Sequence, residues 1–136
     1  MAKIYKAAFP QTPKLASAVC TAAKITFNDA TNAQPLFTAG GEGSEILRLM
    51  ALPRGQVTPT KLQLYWSPDN GSTLYLLDSE QMSGYTMETT TATPETPFAN
   101  IAPDNPLLVP ANAAVYVAIG VALPAGIVFT AQYWDY

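Results

Sequence analysis

The sequence has no histidine and only one cysteine among its 136 residues. Without histidine there is no Ser-His-Asp or Cys-His nucleophilic arrangement, no histidine metal ligand, and no side chain that ordinarily titrates near neutral pH. A single cysteine cannot form an internal disulfide or build a zinc or iron–sulfur site. The apolar neighbours of Cys20 predict a small buried side chain. We therefore predict no catalytic residue, no metal and no cofactor, and expect that the chain is not an enzyme.

Charge is also scarce. Charged residues make up 12% of the chain, against roughly 25% in ordinary soluble domains. The net charge is −3, and the seven lysines and arginines form no cluster, so there is no electrostatic reason to expect nucleic acid binding. A free monomer with so few charged residues is poorly protected against association. We expect part of the surface to be covered by other copies or by a larger particle.

The longest uncharged stretch, 105–134, is long enough to cross a bilayer. Three prolines interrupt it, and Val115, Val117 and Ile119 alternate with smaller or more polar residues at the period of a strand. We predict no membrane span. The basic first six residues are followed by no long apolar stretch, so we also expect no signal peptide.

Proline and turn residues divide the chain into short segments. Pro10 and Pro13 are incompatible with a helix interior or a central strand, so residues 1–17 are predicted to form an extended N-terminal arm. Residues 18–136 are predicted to form one domain. Pro68-Asp69-Asn70-Gly71 lies between two alternating apolar runs, which is typical of a hairpin turn. The predicted strands are 18–27, 45–52, 61–66, 73–78, 85–91, 98–101, 114–123 and 127–133.

About eight short strands divided by turns, with no convincing helix, favour a sandwich or barrel. Several longer connections favour a jelly roll among these. The predicted fold class is therefore all-β, a jelly-roll-like sandwich of about eight antiparallel strands with an extended N-terminal arm.

Two aromatic pairs are the most suggestive surface candidates. Tyr65-Trp66 precedes the predicted hairpin turn, and Tyr133-Trp134 comes shortly before the final Tyr136. Neighbouring residues of a strand point to opposite faces, so one ring of each pair should face outwards. Exposed aromatic rings favour contacts with proteins or sugars.

Several segments together resemble a group of small tailed-phage virion proteins. The resemblance covers roughly residues 36–136, and the chain has Tyr133-Trp134 where that group has small residues before the final Asp-Tyr. The segments that carry it are Leu36-Phe37-Thr38-Ala39-Gly40, Gly43-Ser44-Glu45-Ile46, Leu62-Gln63-Leu64-Tyr65, Asn70-Gly71, Tyr75-Leu76-Leu77-Asp78, Pro106-Leu107-Leu108-Val109-Pro110-Ala111-Asn112, Phe129-Thr130-Ala131-Gln132 and Asp135-Tyr136.

The resemblance implies a capsid decoration, or cement, protein. Such proteins are β-rich, often homotrimeric, and bind the major capsid protein on the outer surface of the head, after synthesis in the host cytoplasm. The residues predicted to form protein interfaces are Ile4, Tyr5, Phe9, Pro10, Tyr65, Trp66, Tyr133, Trp134 and Tyr136.

Other functions fit the same residues. The aromatics could stack on sugars in a receptor- or carbohydrate-binding module, and a tail or head–tail joining protein would also be β-rich. A carboxylate hydrolase needs only two acidic groups. Its candidates are Glu42, Glu45, Asp78, Glu80, Glu88 and Glu95.

Overall fold

Segments with a two-residue apolar period form the strands of the structure, a computed structural model that describes residues 12–136. The described part is all-β and contains no helix, which confirms the predicted class. The nine strands are β1 Thr12–Cys20, β2 Gln34–Thr38, β3 Ser44–Pro53, β4 Thr60–Ser67, β5 Tyr75–Met82, β6 Thr96–Pro97, β7 Leu107–Val109, β8 Ala114–Ile119 and β9 Ile127–Asp135.

The strands form two antiparallel sheets. Sheet A has the order β1-β9-β3-β6, and β7 also pairs with β3. Sheet B has the order β2-β8-β4-β5. Apart from the β4–β5 hairpin, the paired strands are not consecutive along the chain. The first described strand, β1, therefore lies beside the last, β9, at one edge of sheet A.

The core lies between the two sheets. It is formed by the inward-facing side chains, which alternate with outward-facing ones along each strand. On β9, Ile127, Phe129 and Ala131 are buried, while Val128 and Thr130 between them are partly exposed. Burying a large apolar side chain contributes about 1.5–3 kcal/mol, so a strand with one apolar face is strongly fixed in register.

The first predicted strand, 18–27, is wrong at both ends. β1 begins at Thr12 and ends at Cys20, so residues 12–17 of the predicted arm pair with β9. Pro13 is tolerated there because β1 is an edge strand, which pairs with a neighbour on one side only. The other arm residues, including Ile4, Tyr5, Phe9 and Pro10, lie outside the described residues.

Two further predicted strands differ from the structure. Within 85–91 only Tyr85 pairs, in an isolated bridge with Val57, because the following threonines are exposed and have no apolar face to bury. The predicted strand 98–101 is a loop, and the short strand β6 precedes it. Phe98 and Ile101 of this loop are buried and close one side of the core.

Candidate interaction surfaces

The outer face of sheet A carries exposed apolar side chains among the polar Ser17, Thr130 and Gln132 and two charged residues. Leu15 and Val19 on β1 are 68% and 37% exposed. Paired residues of an antiparallel ladder project to the same side, so Val19 lies beside Val128, and Val128 beside Leu52. We call this surface the sheet A face and define it by Leu15, Val19, Met50, Leu52, Leu108, Val128 and Trp134.

The two charged side chains on the sheet A face both have polar partners. Arg48 pairs with Glu95, with 2.6 Å between Nη2 and Oε1. Glu45 Oε2 accepts a hydrogen bond of 2.6 Å from the Tyr136 hydroxyl, and this bond raises the pKa of Tyr136. The remaining exposed apolar side chains suit contact with another protein.

Two of the predicted interface aromatics are interior residues. Tyr65 is fully buried, and burial raises its pKa to about 12. Tyr133 is 8% exposed and stacks on Phe37 with 3.8 Å between ring centroids. This corrects the surface position predicted for both rings.

Tyr65 does face outwards from sheet B, as the alternation predicts, but other segments cover it. Leu74 and Ala33 pack against its ring, and the Lys24 ammonium lies 5.4 Å from the ring centroid. The Tyr65 hydroxyl donates a hydrogen bond to Gln63 Oε1. The sequence gives no periodic signal for this cover, because it depends on where the irregular segment 21–33 crosses the sheet.

The other predicted aromatics lie at the surface in different places. Trp66 is half-buried beside Tyr75, with 5.6 Å between ring centroids. Trp134 is half-buried on the sheet A face, and the partly exposed Tyr136 lies beside that face.

Trp66 and Tyr136 also line neighbouring cavities on the open side of the sandwich. One cavity of about 230 Å³ shares the lining residues Leu77 and Leu107 with a second of about 280 Å³. The second shares Val109 with a third of about 360 Å³. We call these the β5–β7 groove. Its apolar middle is Trp66, Leu77, Leu107, Leu108, Val109 and Pro110, with Asp78 at one end and Glu42 and Tyr136 at the other.

The described residues contain no group of three or more Cys, Asp or Glu side chains that could hold a metal ion. Cys20 is buried as predicted, its thiol lies 3.5 Å from the Val117 carbonyl oxygen, and burial raises its pKa to about 12. Such a thiol is a poor nucleophile. Over the same range, no helix has the length and apolar character needed to span a membrane.

No family model, curated protein or solved structure matches this chain. Its function therefore has to be inferred from the chemistry of the sheet A face and the β5–β7 groove.

Proposed function

We propose that this chain is a capsid decoration, or cement, protein of a tailed phage, which binds the outer surface of the head and bridges major capsid subunits. The observation that carries the proposal is the sheet A face, whose exposed apolar side chains surround charges that already have partners. Covering one side chain such as Leu15 would contribute about 1–2 kcal/mol to binding.

The proposed mechanism is binding alone. A homotrimer would present three copies of the sheet A face and touch several capsid subunits at once, gaining avidity without a new kind of contact. Every subunit that binds the closed shell and not the opened one raises the free energy needed to open it. The low charge of the chain supports a working state in which much of the surface is covered.

We further propose that the fold is a jelly roll. When β6 and β7 are taken as one interrupted strand beside β3, sheet A contains the first, eighth, third and sixth strands. Sheet B then contains the second, seventh, fourth and fifth. This order supports two sheets wound together as interlocked Greek keys.

The test is binding to empty heads of the phage that encodes the chain. Leu15→Asp should reduce co-sedimentation with heads at least tenfold, because it places an unpaired charge in the covered face. Leu76→Asp is the matched control, since Leu76 is 41% exposed on the opposite sheet. Equal binding by both variants and the unmodified chain, or no binding by the unmodified chain, would exclude the proposal.

Native mass spectrometry separates the proposal from other virion roles. A trimer supports decoration, whereas a ring of six or twelve copies supports a tail or head–tail component. Sugar binding is a second candidate because Tyr75 is 51% exposed beside Trp66, and such a pair can stack on a sugar ring. Glycan binding that Tyr75→Ala abolishes would favour this function instead.

A further inference from the structure

We propose that Asn70 is a site of chemical modification that the fold protects: its side-chain amide converts to a carboxylate by attack of the Gly71 nitrogen, and the Ser67 hydroxyl slows this step. Asn70-Gly71 is the one Asn-Gly pair in the sequence. Glycine has no side chain to shield its nitrogen or to restrict its backbone, so it favours reaction of the asparagine before it. The pair lies at the tip of the β4–β5 hairpin, where Asn70 is exposed to water.

The reaction needs only this pair of residues and water. The Gly71 nitrogen gives up its proton and attacks Cγ of Asn70, so that a bond forms between these two atoms. The bond from Cγ to Nδ2 then breaks, and Nδ2 leaves as ammonia with the proton that the Gly71 nitrogen lost. Water opens the resulting succinimide ring at either carbonyl. The product is aspartate or isoaspartate, and in isoaspartate the main chain runs through the former side-chain carbonyl carbon.

The folded turn holds the attacking nitrogen in a hydrogen bond. Gly71 N donates to Ser67 Oγ at 2.8 Å, and the Ser67 hydroxyl donates to Asp69 Oδ1 at 2.8 Å. The hydroxyl proton therefore points to Asp69 and leaves a lone pair for the Gly71 N–H. Ser67 is fully buried, so water competes poorly with its hydroxyl as the acceptor. A nitrogen that keeps its proton in such a bond is a poor nucleophile.

The conformation of the turn is a second barrier. Asn70 and Gly71 are both left-handed, with φ angles of 59° and 99°. Closing the succinimide ring fixes the bond between Cα and the carbonyl carbon of Asn70 in a different orientation, so Gly71 has to move. Tyr116 restricts that movement, since a Cβ built on Gly71 would lie 2.5 Å from the Tyr116 hydroxyl oxygen. The turn therefore has to open before the ring can close.

Two other asparagines provide an internal comparison. Asn32 and Asn112 have φ angles of 60° and 63°, so they share the left-handed conformation of Asn70. They are followed by Ala33 and Ala113, whose side chains hinder the approach of the backbone nitrogen. Comparing the three asparagines separates the effect of the following residue from that of the backbone conformation.

The experiment incubates the purified full-length chain at mildly alkaline pH and follows each asparagine by peptide mass spectrometry. Asn70 should convert at least roughly tenfold faster in guanidinium-unfolded chain than in folded chain, and Ser67→Ala should accelerate the folded chain by a similar factor, because the Gly71 N–H loses its partner. Thr60→Ala is the matched control. Thr60 is equally buried on the same strand, and its hydroxyl donates to the Thr58 carbonyl oxygen, away from the turn.

Hydrogen exchange at the Gly71 amide checks the cause directly. It should be slow in the folded, unmodified chain and fast in Ser67→Ala. This measurement on the unmodified chain, and the comparison of folded with unfolded chain, decide the proposal even where Ser67→Ala does not fold.

Several results would overturn the proposal. Equal conversion of Asn70 in folded and unfolded chain would show that the turn gives no protection, and a folded Ser67→Ala chain that converts no faster would exclude the role of the hydroxyl. Equal acceleration by Thr60→Ala would assign the effect to overall stability instead. Conversion of Asn32 or Asn112 as fast as Asn70 in unfolded chain would show that Asn70 is not the reactive residue.

Discussion

Lys24 shows how a single residue can decide whether part of a sheet face is covered or exposed to solvent. It is the one charged side chain that is fully buried among the described residues. Its ammonium group donates to the backbone oxygens of Asp29 and Thr31, at 2.5 and 2.9 Å, and lies 3.2 Å from the Asp29 carboxylate. These bonds hold the segment 21–33 over sheet B, and so cover Tyr65.

The carboxylate in this network predicts a pH dependence. Hydrogen bonds from Thr26, Thr31 and Lys24 lower the pKa of Asp29 from 3.8 to about 2. The folded protein therefore protonates Asp29 at lower pH than the unfolded chain does. The stability due to this shift is complete above about pH 4 and is lost as the pH falls towards about 2. In urea unfolding, Asp29→Asn should lose less free energy over this interval than the unmodified chain, and identical pH profiles would contradict the assignment.

At the scale of elements, the turn of the β4–β5 hairpin has the backbone conformation that its residue types predict. Asn70 and Gly71 have φ angles of 59° and 99°, the left-handed conformations that their residue types favour. The Ser67 hydroxyl oxygen accepts from Gly71 N at 2.8 Å, and Asp69 Oδ1 accepts from Thr73 N at 2.8 Å. The local chemistry of the turn was therefore sufficient to predict the hairpin.

Gly71→Ala should destabilise the protein by about 2–3 kcal/mol, since a left-handed alanine costs about 1 kcal/mol and the close contact adds to it. The new Cβ would lie 2.5 Å from the Tyr116 hydroxyl oxygen. Gly41→Ala is the control, because its Cβ would meet nothing within 4 Å. In a Tyr116→Phe background the cost of Gly71→Ala should fall, as measured by chemical denaturation. An unchanged cost would exclude the steric contribution.

On the scale of the whole molecule, the sheet A face is the surface proposed to contact the capsid. A trimer would present three such faces to the shell, and each capsid contact would be strengthened by the other two.

Decorated heads should therefore release DNA at a temperature several degrees higher than undecorated heads. Adding the purified chain to undecorated heads should restore this resistance, because binding to the closed shell stabilises it by mass action. Leu15→Asp should not restore it, and Leu76→Asp should. DNA release followed by dye fluorescence during heating measures the effect, and equal release temperatures with and without the chain would contradict a stabilising role.

The sequence by itself determined the strand class, the hairpin at Asn70-Gly71, the burial of Cys20 and the apolar face of β8. Each of these depends on a short-range pattern: a two-residue period, a turn residue or an apolar neighbourhood. Only the tertiary structure decided that β1 begins at Thr12, that Tyr65 is covered, and that Trp66 and Tyr136 line neighbouring cavities. Those outcomes depend on pairings between residues far apart in the chain, such as Thr12 with Asp135. A local pattern specifies which side of a strand is apolar, but not which distant segment will cover it.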